Sequence, residues 1–226
     1  MKTYRTHLSP AVLIGALLLQ VYASTGETAA QTPTRSAGLS TAELEALYRA
    51  RADSALTRVS EADVRFMTGM VSHHAQALVM SGFAPSNRSG RQVRTLAARI
   101  INAQKDEISF MQQWLLDRGQ PVPEVDDTGR IAHAMHMPGM LGPEQLEDLE
   151  KAKGLEFDRL FLTYMIQHHE GAVTMVHELF ATDGAAQDDL AFKLASDIQV
   201  DQITEVARMR DMLELLPTSG PIIDVH

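Results

Sequence analysis

Two blocks carry the most specific chemistry in this sequence: Met70-x-x-His73-His74 and Met165-x-x-His168-His169. In each, a thioether lies one helical turn before an adjacent pair of imidazoles, and side chains one turn apart face the same way. Thioether plus imidazole is a soft donor set that selects Cu(I), and Ag(I) by the same softness. Sites for hard cations call for clustered carboxylates, which this sequence does not offer. The chain holds 9 His and 12 Met but no Cys. That excludes a disulfide framework, thiolate zinc or iron–sulfur sites, and a cysteine nucleophile.

A third cluster is His133-Ala-Met135-His136-Met137-Pro-Gly-Met140. Soft and borderline donors are dense here, and a Pro-Gly turn folds them back. The segment reads as a flexible metal-capturing loop; the competing reading is a lid whose Met side chains cover the end of the domain. His177, close after Met175, is a weaker candidate ligand. His7 belongs to the leader and His226 to the tail.

The donors must be positioned by helices, and the helices are duplicated. Asp63, Phe66, Met70, His73, His74, Ala77 and Met80 recur at an offset of 95 as Asp158, Phe161, Met165, His168, His169, Ala172 and Met175. Gln104, Glu107, Met111 and Leu115 recur at an offset of 98 as Gln202, Glu205, Met209 and Leu213. Capping, turn and breaker residues predict helices over about 40–59, 60–83, 91–117, 155–182 and 186–216, with a short one from Pro143. Two copies of a helical hairpin packed together predict an all-α fold: a four-helix bundle, plus an extra N-terminal helix.

Phe66, Met70, His73, Ala77 and Met80 have the spacing of a core-facing seam, as do their repeats. On the partner helices two registers fit equally. One runs through Ile100, Gln104, Glu107, Met111 and Trp114. The other runs through Ile101, Gln104, Ile108, Met111 and Leu115, and leaves Glu107 at the edge. Gln104 and Gln202 read as polar core partners. Glu107 and Glu205 fit three roles: ligands, partners that orient a ligating His, or salt-bridge residues. Met80, Met111, Met175 and Met209 read as core filler.

The net charge of −9 argues against a nucleic-acid partner, because phosphate neutralisation needs a Lys/Arg excess. Residues 1–23 have the layout of a signal peptide, with Lys2 and Arg5 before an apolar run from Ala11 to Leu19 and small residues at Ala23. Cleavage is expected after Ala23, with Ala30 as the alternative. The run is too short for a membrane span, and no other run in the chain is long enough. The expected organisation is a signal peptide (1–23), a flexible tether (24–38), an N-terminal helix (39–59), the duplicated bundle (60–216) and a tail (217–226). Such a protein is exported, to a periplasm or otherwise secreted.

The motifs Asp63-x-x-Phe66-x-x-x-Met70-x-x-His73-His74 and Gln104-x-x-Glu107-Ile108-x-x-Met111-x-x-Trp114-Leu115 carry a family resemblance. So do Phe157-Asp158-x-x-Phe161-Leu162-x-x-Met165-Ile166-x-His168-His169-Glu170-Gly171-Ala172 and Gln202-x-x-Glu205-x-x-x-Met209. Over about residues 60–216 the chain resembles the exported bacterial family known as "domain of unknown function 305", within the ferritin-like bundles. The resemblance implies a four-helix bundle and, for some members, periplasmic copper or silver binding through Met and His.

Three functions remain to be weighed. The leading one is uptake of Cu(I) or Ag(I) for metal homeostasis or resistance, with the ion as partner. Met70, His73, His74, Met165, His168 and His169 would hold it, and the 133–140 loop would capture it. A metal-free structural or partner-binding bundle is the second. The third is a di-iron oxidase, which wants Glu-x-x-His on two helices; the sequence has no such motif. No catalytic residues are assigned, and the balance lies against an enzyme.

Overall fold

Helix boundaries fall where local capping dictates. In the computed structural model, which describes residues 40–57, 59–125 and 137–217, six helices run in order. They are α1 (Thr41–Thr57), α2 (Glu61–Gly82), α3 (Arg91–Asp117), α4 (Pro143–Lys151), α5 (Leu155–Phe180) and α6 (Asp189–Glu214). The expected leader, tether and extreme tail lie outside the described residues, as do His133, Met135 and His136.

Ser40 and Glu43 form the reciprocal capping box at α1, with Ser40 N–H on Glu43 Oε2 at 2.7 Å and Glu43 N–H on Ser40 Oγ at 3.3 Å. Ser60 Oγ accepts from Asp63 N–H at 2.9 Å to open α2, and Asp188 does the same for α6 through Ala191 N–H at 2.8 Å. These bonds satisfy amide donors that a helix start otherwise leaves orphaned.

α2 packs against α3 and α5 against α6, and the two hairpins join through α2 and α5. Two apolar clusters fill the bundle. The first joins the N-terminal half of α2 (Phe66, Met67, Met70) to the C-terminal half of α3 (Met111, Trp114), the C-terminal half of α5 (Met175, Leu179) and the start of α6. The second joins the opposite halves, with Met80, Leu96, Phe161, Met165 and Met209 among its members. Hence α2 runs antiparallel to α5, and the repeat becomes an approximate two-fold arrangement. Of the two registers open for α3, Gln104, Ile108 and Leu115 are buried together with Ile100, Met111 and Trp114. Glu107 stands at the edge of the stripe.

The repeated aspartates hold the hairpins together. Asp63 Oδ1 accepts from Ala186 N–H, in the α5–α6 turn, at 2.6 Å. Asp158, its repeat, accepts from Gly90 N–H, in the α2–α3 turn, at 3.0 and 2.9 Å. Each hairpin therefore caps the turn of the other. At the end of α3, Asp188 accepts from Trp114 Nε1 at 3.0 Å and from Arg118 Nη2 at 2.6 Å, while the Arg118 guanidinium lies 4.2 Å from the Trp114 ring centroid.

Candidate metal centre

A polar layer lies between the two apolar clusters. His73 and His168 sit where α2 meets α5, their ring centroids 3.8 Å apart and their planes inclined at 39°. His74 and His169 follow by one residue and so turn about 100° round their helices. That rotation aims them at the partner helix of their own hairpin. His74 Nε2 lies 2.7 Å from Glu107 Oε2 on α3, and His169 Nε2 lies 2.8 Å from Glu205 Oε2 on α6. All four rings are fully buried, while the two glutamates reach solvent at their outer edge. Burial, and then the charges of Glu107 and Glu205, push the Asp201 carboxyl up. Both histidine–glutamate pairs therefore lie beside one acidic edge.

The hydrogen bonds fix which nitrogen of each ring is available. A carboxylate only accepts, so Nε2 of His74 and of His169 carries the proton and donates it. The Pro138 carbonyl accepts from His73 Nε2 in the same way, at 3.0 Å. In the neutral ring the bare lone pair of all three is then on Nδ1. These three Nδ1 atoms are buried without a protein partner, as are both ring nitrogens of His168. Both side-chain polar atoms of Gln104 and Oε1 of Gln202, in the same layer, are also unpartnered. Such a concentration of unmet hydrogen-bonding capacity is unusual in a folded core. Burial, followed by the His74 charge, pushes His73 down to about 3. Burial, then the charges of His73 and His169, holds His168 well below the ordinary histidine range. Both rings are neutral at physiological pH, the form that donates to a metal.

The segment from Met137 to Leu141 crosses the bundle as a docked strap. The Gln76 carboxamide grips Leu141 twice: Nε2 donates to its carbonyl at 3.0 Å, and Oε1 accepts from its N–H at 2.8 Å. Gln167 Nε2 donates to the Gly139 carbonyl at 3.3 Å. The strap touches α5 backbone to backbone at Gly171, where a Cβ would stand 2.1 Å from the Pro138 oxygen and 2.6 Å from Gly139 Cα. Gly139 itself has φ of 76°, in the left-handed region that favours glycine. Met137 is buried on the bundle and Met140 is partly buried.

The remaining candidates divide between the clusters. Met70 lies in the first with Met111 and Met175, and Met165 in the second with Met80 and Met209. The antiparallel crossing thus puts Met70 and Met165 on opposite sides of the His layer rather than beside each other. Glu107 and Glu205 are hydrogen-bonded to histidine. Among the described residues no three His, Asp or Glu side chains converge on one point as they stand. Sequence reasoning missed Gln76, Gln167 and Gly171 as the strap's anchors. A glycine inside the otherwise strong α5 pattern was the available signal, because it marks a close backbone approach.

The sequence profile of the family described as "Domain of unknown function (DUF305)" matches residues 63–213. No curated protein sequence matches the chain. Among solved structures, a DUF305 protein from Streptomyces coelicolor is 26% identical with a TM-score of 0.59, covering 68% of this chain and 92% of that one. A DUF305 fragment from Deinococcus radiodurans is 29% identical with a TM-score of 0.59, covering 69% and 97%. CopM in its Cu(I)-bound form is 29% identical with a TM-score of 0.53, covering 67% and 95%. CopM has also been solved with Cu(II) and with silver bound.

Proposed function

Given that the chain belongs to the DUF305 family, we propose that it is an exported metal-binding protein that takes up Cu(I) or Ag(I) through Met and His, for metal homeostasis or resistance. One observation carries this: four buried imidazoles, each with at least one ring nitrogen that has no protein partner, set between two Met-containing clusters. The copper- and silver-bound states of CopM, at 29% and 28% identity, support the choice of ion.

His73 and His168 supply neutral lone pairs, and His74 and His169 offer Nδ1. Glu107 and Glu205 accept the Nε2 proton of the outer two rings and so hold them in one tautomer. Among the described residues three imidazole or carboxylate groups do not meet at one point; in this reading thioethers complete the donor set. Met70 and Met165 supply them, one from each of the two apolar clusters. Met137 and Met140 on the strap, with His133, Met135 and His136 just before it, serve capture. Export follows from the signal-peptide layout of residues 1–23; no described helix is long and apolar enough to cross a membrane.

The purified chain lacking residues 1–23 is expected to bind Cu(I) in competition with a chelator. Replacing His73, His74, His168 and His169 by Ala is expected to weaken binding at least about tenfold, the equivalent of roughly 1.4 kcal/mol. Unchanged affinity in a variant that keeps its helical circular dichroism would refute the assignment.

A second reading is a metal-free bundle whose polar layer fixes helix register. The direct His–Glu bonds favour it, since they satisfy half of each outer ring without an ion. Elemental analysis after copper exposure separates the two.

A further inference from the structure

Gly69 lies in the middle of α2, where a glycine weakens a helix, and its φ is not positive. Nothing in its own backbone asks for glycine. What it provides is room. A Cβ on Gly69 would meet Met137 Sδ at 3.2 Å and Met175 Cε at 3.4 Å. Two thioether side chains, one from the strap and one from α5, thus both border a single bare patch of α2. They line a cleft of about 400 Å³ that opens to solvent, with Phe66, Leu179, Arg65 and Glu178 also on its walls. At the repeat-related position the chain has Tyr164. The glycine is therefore not part of the duplicated scaffold; it belongs to the side on which Met137 docks.

We propose that Met137 and Met175, over Gly69, form a second, thioether site for a soft monovalent cation, Cu(I) or Ag(I), at the mouth of the bundle. It rests on the function proposed above for the choice of ion and for Met137 as a donor, and shares no histidine with the inner layer. Thioethers are neutral, soft donors that bind hard cations poorly. Arg65 on the wall is paired with Glu61 at 3.5 Å, and the soft donors the cleft offers are the Met137 and Met175 thioethers. Selection therefore falls to sulfur. Met137 is also covalently next to Pro138, whose carbonyl accepts the His73 ring proton. Occupation of the outer site is in this way linked through the strap to the inner imidazole layer.

The test is a silver nitrate titration of the full chain, labelled with ¹³C at the methionine methyls, in chloride-free buffer. The ε-methyl signals of Met137 and Met175 are expected to move together. Met137→Leu with Met175→Leu, a volume-conserving change, removes one silver ion from the native mass spectrum and leaves the imidazole signals responsive. Gly69→Ala puts a methyl 3.2 Å from Met137 Sδ and 3.4 Å from Met175 Cε and is expected to weaken this site about tenfold, while helical content stays or rises. Movement of the imidazole signals without the two methyls overturns this proposal and leaves the His-layer function intact. Movement of the methyls without the imidazoles supports it and sinks the His-layer assignment. If both methyl shifts vanish when His133, Met135 and His136 are replaced by Ala, Leu and Ala, the ion is held by that segment and the proposal fails.

Discussion

Gly171→Ala separates local helix energetics from tertiary packing, because the two predict opposite signs. In a helix interior, alanine in place of glycine is worth about 1 kcal/mol of added stability. Here the new Cβ would lie 2.1 Å from the Pro138 oxygen, 2.5 Å from its carbonyl carbon and 2.6 Å from Gly139 Cα. These are backbone atoms, so the clash cannot be relieved by turning a side chain, and the strap must lift. Lifting it breaks the His73–Pro138 bond, the double Gln76–Leu141 grip and the Gln167–Gly139 bond. At a net value of about 1 kcal/mol per bond, full release costs about 4 kcal/mol, and the propensity gain leaves about 3 kcal/mol of destabilisation. For a domain of this size that lowers Tm by roughly 6–12 °C. Gly82 is the matched control: it ends α2, is exposed, and a Cβ there meets nothing within 4 Å. Gly82→Ala is expected to leave Tm unchanged or raise it. Thermal unfolding of both variants in chelator, followed by circular dichroism, gives the comparison. A Gly171→Ala Tm equal to or above wild type would refute the docked strap.

Stability in chelator is expected to fall on acidification well above the range where carboxylates titrate. Burial holds His73 at about 3 and His168 well below the ordinary value, so between about pH 6.5 and the folded values only the unfolded chain takes up these protons. Stability is complete above about 6.5 and declines below it, by about 1.4 kcal/mol per pH unit for each histidine; equal urea midpoints at pH 7 and pH 5 would contradict this. Arg118→Ala leaves Asp188 buried without its cation and is expected to cost about 3–5 kcal/mol, read from urea unfolding at pH 7. Burial alone would raise the Asp188 carboxyl, but hydrogen bonds from Trp114, the Ala191 amide and Arg118 outweigh it and hold the group low. Its contribution is therefore present above about pH 4 and lost below, and the gap between wild type and variant should close in strong acid.

Much of the scaffold was legible because it is local. Ser40 and Ser60 announce helix starts, Pro143 sits at the start of α4, and Arg91 to Asp117 is bounded by turn residues on both sides. The duplication was legible because it is an identity of residue types at fixed offsets, and it leads directly to two hairpins. The ends of α5 and α6 are less sharp in sequence: the pattern continues to Thr182 and Leu216, while the helices stop at Phe180 and Glu214. Glu107 could not be placed from its spacing, since both registers bury Gln104 and Met111 equally. Packing against α2 decides it, through the bond to His74.

By itself the sequence determined that this protein is a duplicated helical bundle carrying two Met-x-x-His-His blocks on core-facing lines, because capping and periodicity act within a few residues. Only the tertiary structure decided how those blocks meet. The antiparallel crossing of α2 and α5 brings the His73 and His168 rings together, sends His74 and His169 outward to their glutamates, and puts Met70 and Met165 on opposite sides of the layer. It also seats residues 137–141 on Gly171 and brings Met137 to Met175 over Gly69. These contacts join residues far apart in the chain, and their existence depends on the angle and register of packed helices, which no short-range pattern encodes.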